Sequence, residues 1–254
     1  MNLKLTFLGT GTSQGVPVIA CNCEICTSPD PKDNRLRTSA LIETDDLTLI
    51  IDAGPDFRYQ VLRSNVQKLD AILFTHQHRD HIAGLDDVRS FNFKQNKAIP
   101  IYGNDLVIDQ IKREFHYVFE SNYPGIPQLE INQIDKSPFS IRNLPIDPIE
   151  VLHHKLPVLG FRIGSLTYIT DANTIATAEM KKIYGTKTLV INALQKDDHI
   201  SHFTLDEALE VIADIKPEKA YLTHMSHNMG LHQEISKELP ENVFLAYDGL
   251  SITV

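Results

Sequence analysis

Short runs of apolar residues alternate along this chain with longer segments in which apolar side chains recur at helical spacing. The short runs predict strands, and the longer segments predict helices. We predict strands at residues 3–8, 38–44, 47–52, 70–75, 99–103, 166–170, 188–193, 220–223, 243–246 and 250–254. We predict helices at residues 56–64, 85–93, 106–119, 174–183, 205–215 and 231–239. Asp105 and Thr204 are the predicted N-caps of the third and fifth of these helices.

The order of these elements predicts an α/β protein. Strand pairs lie near both ends of the chain and helices are interleaved in both halves, so we expect two sheets packed face to face between helical layers. Residues 121–150 carry five prolines and are predicted to be an irregular excursion with short extended pieces. No linker, charge run or short repeat interrupts the chain, and we therefore expect residues 1–254 to form a single domain.

Composition and charge narrow the range of functions. The 254 residues are 42% apolar and 22% charged, which is ordinary for a soluble globular enzyme. The net charge of −9 argues against a general nucleic-acid surface, because phosphate binding normally needs a basic face. An anionic substrate is still compatible with this charge, since bound dications make a pocket locally positive.

The sequence predicts a cytoplasmic protein. No apolar run approaches the roughly 18 residues of a membrane-spanning helix, and the first residues lack the features of a signal peptide. All three cysteines lie between residues 21 and 26, too close together for a disulfide framework. In a reducing compartment, such a cluster more often binds a metal.

The segment Thr75-His-Gln-His-Arg-Asp-His81 concentrates metal-binding side chains directly after a predicted strand. His76 and His78 can turn toward one ion, and Asp80 and His81 can reach a second ion beside it. Imidazole and carboxylate together suit zinc, manganese or iron better than calcium or magnesium. The alternative is a polar loop with incidental histidines, which is disfavoured because the whole chain has only 11 of them.

Three other predicted extended runs also end in His or Asp. His153 and His154 follow the run 149–152, Asp171 follows 166–170, and His224 follows 220–223. Each has an ordinary alternative, such as a surface loop or a helix N-cap, but ligands that converge from several strands are what a binuclear site requires. The predicted ligands are His76, His78, Asp80, His81, one of His153 and His154, Asp171 and His224. With Asp171 bridging, the set fills two divalent ions and leaves positions for water and substrate.

His202, in the lead-in to the predicted helix 205–215, is not needed to complete this set of ligands. A histidine free of metal beside a binuclear site can act as a general acid or as an electrophilic partner to a phosphoryl oxygen. His199 lies in the same lead-in. The alternative for His202 is a histidine that hydrogen-bonds the helix cap.

Cys21, Cys23 and Cys26 have the spacing C-x-C-x2-C, which lets three thiolates face one tetrahedral ion. His227, three residues after His224, is the natural fourth ligand. We therefore predict a structural zinc at these four residues. A redox or catalytic thiol is the alternative, but it needs a partner base and does not explain three cysteines.

With His76-Gln-His-Arg-Asp-His81, His153, Asp171 and His224 in this order, the chain resembles the metallo-β-lactamase superfamily over essentially its whole length. The resemblance implies an αβ/βα sandwich with two metals, manganese or zinc, in the cleft between the sheets. The segment His153-His154-Lys155-Leu156 matches the family's His-x-Lys-Leu element, which implies that His153 is the ligand.

Within the superfamily, three features resemble the PhnP-like phosphodiesterases, which cleave 5-phosphoribosyl 1,2-cyclic phosphate. They are the opening Leu8-Gly-Thr-Gly11, the cysteine cluster with His227, and His202 before its helix. The resemblance implies a small anionic phosphodiester as substrate and His202, not His199, as the catalytic residue. Asp80 would ligate a metal and orient the attacking hydroxide. Relatives are often dimers, so a homodimer is also expected.

Two other enzyme classes share this arrangement of metal ligands. The tRNA 3′-processing endonucleases share the Leu-Gly-Thr-Gly start, but they lack the cysteine cluster and usually carry a Gly/Pro-rich arm that is not seen here. Glyoxalase-type thioester or lactone hydrolases act on carbonyl carbon. A metal-binding scaffold is disfavoured by the complete ligand set. No motif identifies the side chains that recognise the substrate. Arg79, Arg89 and Lys155 are candidates by charge and position only.

Overall fold

The computed structural model describes residues 3–120 and 123–254. Its strands are β1 (Lys4–Gly9), β2 (Ser39–Glu43), β3 (Thr48–Ile51), β4 (Ala71–Leu73), β5 (Ile99–Gly103), β6 (Leu129–Gln133), β7 (Phe139–Ile141), β8 (Leu144–His153), β9 (Leu156–Ile163), β10 (Leu166–Tyr168), β11 (Thr174–Ile175), β12 (Thr188–Asn192), β13 (Lys219–Thr223), β14 (Val243–Leu245) and β15 (Ser251–Thr253). Its α-helices are α1 (Phe57–Arg63), α2 (Arg79–Ile82), α3 (Arg89–Gln95), α4 (Asp105–Glu114), α5 (His116–Glu120), α6 (Thr177–Ile183), α7 (Leu205–Ile215) and α8 (His232–Glu238). Short 3₁₀ turns lie at Pro31–Asp33, Leu85–Val88 and His227–Met229.

The strands form two mixed sheets. The first has the order β15-β1-β2-β3-β4-β5-β6, antiparallel from β15 to β3 and parallel from β3 to β6. The second has the order β11-β8-β9-β10-β12-β13-β14, with β7 also paired to β8, and its parallel part runs from β10 to β14. The predicted α/β class, with two mixed sheets flanked by helices, is confirmed.

The core has one layer between the sheets and one on the outer face of each sheet. Because side chains alternate along a strand, Ala71 and Leu73 of β4 pack between the sheets, whereas Ile72 and Phe74 pack against the helices. Strands buried on both faces read as continuous apolar runs, which is why the sequence predicts these strands well. None of the helices within the described ranges combines the length and apolar character needed to span a bilayer.

The short extended pieces predicted within residues 121–150 are β6 and β7, but the prediction is wrong from Leu144 onward, where the long strand β8 begins. Residues 121 and 122 lie outside the described part. The first seven of the ten residues of β8 fall within residues 121–150, and β8 forms a long hairpin with β9. Pro148 is tolerated in β8 because of where its nitrogen points. The amide of Glu150 bonds the Glu179 carboxylate rather than β9, so residue 148, two positions earlier, also directs its nitrogen away from β9. No ladder bond is lost.

Helix starts were predicted with mixed success. Thr204 caps α7 as predicted, in a reciprocal capping box with Glu207. Asp105 is not a cap: Asn104 accepts the bond from the Val107 amide, and Asp105 is the first residue of α4. The predicted helix 106–119 is two helices, α4 and α5, and the predicted helix 174–183 begins as strand β11 before α6.

Candidate metal centre

The predicted ligands come together where loops that follow strands of both sheets meet. His76 and His78 lie between β4 and α2, and α2 carries Asp80 and His81. The other three come from the second sheet, where His153 ends β8, Asp171 follows β10, and His224 follows β13. The ends of parallel strands lie at one edge of a sheet, so short loops suffice to bring side chains from both halves to one place.

Three residues at this edge have left-handed backbone conformations. Asp52 directly after β3, Asp171 and His224 have φ of +62°, +56° and +58°. None is glycine, so each conformation costs about 1–3 kcal/mol and persists only when the surroundings impose it. Such strain concentrates at functional sites, and here it turns each side chain from its strand end toward the common centre.

Asp171 lies at the middle of the cluster. Its Oδ2 is 3.3 Å from Nε2 of His81, and its Oδ1 is 3.1 Å from Nε2 of His224. Asp80 approaches the same His81 nitrogen, with Oδ2 at 3.2 Å. Donor atoms of His76, His81 and Asp171 also lie within 4.8 Å of one another, so this carboxylate is close to ligands on both of its sides, as expected of a bridging ligand.

The remaining predicted ligands, His78 and His153, lie around His76. Its ring centroid is 4.6 Å from that of His78 and 5.9 Å from that of His153. Nδ1 of His153 donates to the carbonyl of Ser201 at 2.9 Å, which leaves the Nε2 lone pair for a metal. The ring of His154 is exposed, and the structure therefore places His153, not His154, with the other ligands.

The donor atoms fit divalent cations. The Nε2 atoms of His76, His81 and His224 are buried without a hydrogen bond to any described residue, because the carboxylate oxygens 3.1–3.3 Å from those of His81 and His224 do not have the geometry of one. An unpaired buried polar atom costs about 1–3 kcal/mol, so such atoms call for a partner. Imidazole nitrogens and carboxylate oxygens suit zinc, manganese or iron. One ion would be held by His76, His78 and His153 and a second by Asp80, His81 and His224, with Asp171 shared.

The protonation states of the cluster also favour a cation. Burial, with His81 close by, lowers the pKa of His76 well below its ordinary value. Burial opposes ionisation of Asp171, but His224 and His81 hold its pKa well below the usual range. Burial alone would lower the pKa of His81, but Asp171, Asp80 and Asp52 raise it well above normal. The carboxylates therefore require a positive charge here, which a proton on His81 or a divalent cation supplies.

Asp52 belongs to the site, although the sequence pattern did not single it out. Its Oδ2 accepts from Nδ1 of His81 at 2.7 Å and from the Thr75 hydroxyl at 2.8 Å, and its Oδ1 accepts from the Thr75 amide at 2.9 Å. These bonds fix the tautomer and orientation of His81, so that Nε2 faces the centre. The available signal was an Asp ending a predicted strand, the same signal that identified Asp171.

We expect Asp52→Asn to lower the affinity for metal at the His81 side by about 10–100-fold, because the amide cannot replace the charge that orients His81. Competitive zinc titration against a chelator measures the change. Asp109→Asn, an exposed substitution on α4, is the matched control. An affinity equal to that of the unmodified protein would show that Asp52 does not tune the site.

The backbone around Asp52 also holds α2 in place. The Ala53 amide donates to the carbonyl of His81 at 2.8 Å, and a Cβ at Gly54 would lie 2.0 Å from the carbonyl oxygen of Asp80. Only glycine permits this approach. The loop after β3 therefore packs directly beneath the two ligands of α2.

His202 lies against the ligands without belonging to either group of three. It is buried, with Nδ1 4.0 Å from Oδ1 of Asp171 and ring centroids 4.4 Å from His153 and 4.8 Å from His224. Burial and the neighbouring His224 lower the pKa of His202 to about 3, so it is a neutral imidazole at physiological pH. His199 is exposed and stands 5.1 Å from His202, ring to ring.

The cysteine cluster is assembled as its spacing predicts. The Sγ atoms of Cys21, Cys23 and Cys26 lie 3.4, 3.4 and 3.5 Å from Nδ1 of His227. The Cys26 amide and His227 lower the pKa of Cys23 to about 6, which favours the thiolate that binds metal. Three thiols and one imidazole around one point fit tetrahedral zinc. His227 lies in the turn that begins three residues after His224, so this cluster adjoins the candidate metal centre.

Two of the basic residues suggested for substrate recognition already have partners. Arg79 pairs with Glu114 of α4 at 3.4 Å, and Arg89 pairs with Asp86 at 3.7 Å. Lys155 is exposed in the β8–β9 turn.

Comparisons with known proteins agree with this architecture. A family model described as Beta-lactamase superfamily domain matches residues 48–225. A crystal structure described as a new diphosphatase from the PhnP family has a TM-score of 0.95 and 37% identity, and the match covers 100% of this chain and 98% of that chain.

Two other relatives are longer than this chain. An octanoyltransferase from Porphyromonas gingivalis is 39% identical over 99% of this chain and 52% of that protein. A ribonuclease Z from Staphylococcus epidermidis is 31% identical over 63% of this chain and 49% of that protein. The match thus spans about half the length of each of these two relatives.

Proposed function

The chain belongs to the metallo-β-lactamase superfamily and, within it, to the PhnP family, and from this premise we propose that it hydrolyses phosphodiesters with the aid of two divalent cations. One observation carries the proposal. Asp171 is close to candidate ligands of both groups, since donor atoms of His76, His81 and Asp171 lie within 4.8 Å of one another and its Oδ1 is 3.1 Å from Nε2 of His224. His202 is packed beside Asp171 without being needed by either group. A shared carboxylate holds two cations side by side, and a donor free of metal can stabilise the leaving oxygen, so both features suit a two-metal hydrolase.

When bound, the two cations would lower the pKa of water and neutralise charge that builds on the phosphoryl oxygens. The chain supplies the remaining groups. Burial opposes ionisation of Asp80, but His81 lowers its pKa below the ordinary value, so Asp80 is a carboxylate that accepts a hydrogen bond from the attacking water and orients it. His202, as a neutral imidazole, donates an N–H to the leaving oxygen as the P–O bond breaks.

The substrate that we propose is a small cyclic phosphate such as 5-phosphoribosyl 1,2-cyclic phosphate, or another small diester of phosphoric acid. The net charge of −9 supports a small ligand over a nucleic acid, since long phosphate chains are bound by basic surfaces. The PhnP-family relative described as a diphosphatase supports the same bond class, an ester or anhydride of phosphate. The octanoyltransferase name carries little weight here, since about half of that protein lies outside the match.

A tRNA 3′-processing endonuclease is the second candidate, favoured by the 31% identity with a ribonuclease Z. The cysteine cluster at residues 21–26 argues against it, because the resemblance associates that cluster with the PhnP-like branch. A glyoxalase-type thioester hydrolase is supported only by the shared arrangement of metal ligands.

Turnover of four substrates by purified protein of known metal content tests the proposal. They are bis-p-nitrophenyl phosphate, 5-phosphoribosyl 1,2-cyclic phosphate, a precursor tRNA with a 3′ trailer, and a glutathione thioester. We expect the two phosphodiesters to be cleaved, activity to disappear with chelator, and manganese or zinc to restore it. Cleavage of the precursor tRNA alone would establish the endonuclease, and cleavage of the thioester alone the glyoxalase type. One metal per chain with no activity restored would indicate a scaffold.

A further inference from the structure

His199 is an exposed histidine at the rim of the site that the proposed mechanism does not use. Its ring is 5.1 Å from that of His202 with an interplanar angle of 37°, and the ring of His202 is 4.8 Å from that of His224 with an angle of 25°. The three imidazoles form a row that leads from a candidate metal ligand to solvent. His199 is therefore the next group outward from the residue that meets the leaving oxygen.

The orientation of the His199 ring is set by its own loop. The backbone amide of Ser201 lies 3.4 Å from Nδ1 of His199, and the Ser201 hydroxyl lies at the same distance. A backbone amide only donates, so Nδ1 accepts and the ring proton is on Nε2. The Nε2–H group is on the far side of the ring from the loop, where it is available as a hydrogen-bond donor.

The loop that carries His199 is held at two further points. The carbonyl of Ile200 accepts from Nδ2 of Asn173 at 3.0 Å, and the carbonyl of Ser201 accepts from Nδ1 of His153 at 2.9 Å. The second bond ties the loop to a candidate metal ligand. A surface histidine without a role needs no such fixing, whereas a donor held in place binds its ligand at a lower cost in entropy.

We propose that His199 is a substrate-binding residue that donates from Nε2 to a phosphate oxygen on the leaving portion of the substrate. The proposal rests on the proposed function and deepens it: the preferred substrate carries a second phosphate on the side of the bond that departs. His202 meets the leaving oxygen, so the group attached to that oxygen lies next to His199. Asp197 and Asp198, which precede His199, are exposed carboxylates whose charge opposes a phosphate here, and solvent screens that repulsion.

Two substitutions separate the donor from the loop contact. In His199→Asn, the side-chain oxygen takes the place of Nδ1 and keeps the bond from the Ser201 amide, but the outer donor is lost. In His199→Gln, the amide nitrogen reaches the place of Nε2 and keeps the donor. His116→Asn, at an exposed histidine on α5, is the matched control.

The kcat/KM of the manganese-loaded protein is measured with two substrates. ADP-ribose has a phosphate in its leaving portion, and bis-p-nitrophenyl phosphate has none. We expect His199→Asn to reduce kcat/KM for ADP-ribose about tenfold more than for bis-p-nitrophenyl phosphate, the loss expected for one hydrogen bond to a charged oxygen. We expect His199→Gln to recover most of that difference and His116→Asn to show none.

The inference is wrong if His199→Asn changes both substrates by the same factor, or if the unmodified protein cleaves bis-p-nitrophenyl phosphate but not ADP-ribose. In both cases the proposed function stands. If the metal-loaded, unmodified protein cleaves no phosphodiester, the proposed function itself fails and the role of His199 falls with it. Thermal melting of each variant shows whether the fold is intact.

Discussion

Replacing His202 with alanine is expected to lower kcat for bis-p-nitrophenyl phosphate by about 10²–10⁴-fold while the metal content stays unchanged. The imidazole is buried against the rings of His153 and His224, which shields from water the N–H group that we propose donates to the leaving oxygen. A donor in such a place is stronger than in water, because few competing dipoles screen it. Alanine removes the donor and leaves both groups of candidate ligands complete.

The measurement pairs turnover with metal analysis of the same sample. His154→Ala is the matched control, since this histidine lies in the β8–β9 turn with its ring exposed. Two results would contradict the assignment. Unchanged kcat would remove His202 from the reaction. Loss of one metal along with activity would make it a ligand, a real alternative because donor atoms of His153, Asp171 and His202 lie within 4.8 Å of one another.

Replacing Cys26 with serine is expected to remove one metal ion per chain and to destabilise the fold by several kcal/mol, which lowers Tm by about 10 °C. The segment between β1 and β2 has only the 3₁₀ turn Pro31–Asp33 as regular structure, so a zinc ion at the cluster would supply much of its order. A hydroxyl is a poor zinc ligand compared with a thiolate.

Metal analysis and thermal unfolding, with and without chelator, test this prediction. Thr27→Ser, at the next residue, is the matched control, because it changes an exposed side chain outside the cluster. A Cys26→Ser protein with the same metal content and the same Tm as the unmodified chain would show that the four residues do not hold a structural ion.

The candidate ligands could be found from the sequence because ligands of a metal site follow local rules. His76, His78, Asp80 and His81 occupy one short loop, and Asp171 and His224 each follow an apolar strand. Strands buried on both faces and a capping box at Thr204 are equally local signals, so the start of α7 and the parallel strands other than β6 were also predicted.

Other features depend on contacts that no local pattern contains. Asp52 is 29 residues from His81 in sequence, and only the pairing of β3 with β4 makes it the partner of that histidine. The β8–β9 hairpin was missed because prolines interrupt the alternation of apolar and polar residues that predicts a strand. Whether β8 accommodates these prolines depends on which of its edges is free of hydrogen bonds at each position. Without the family resemblance, the residues alone did not separate His153 from His154.

The sequence by itself determined the fold class, the candidate ligands of the metal centre and the cysteine cluster. Apolar periodicity and clustered metal-binding side chains are patterns of residues that lie close together in the sequence. The tertiary structure decided how they are used. It brought Asp171 of the second sheet close to His76 and His81 of the first, and it turned Asp52, Asp171 and His224 inward through left-handed backbone. These are relations between strand ends of two different sheets, and only the packing of the sheets against each other brings those ends to one edge.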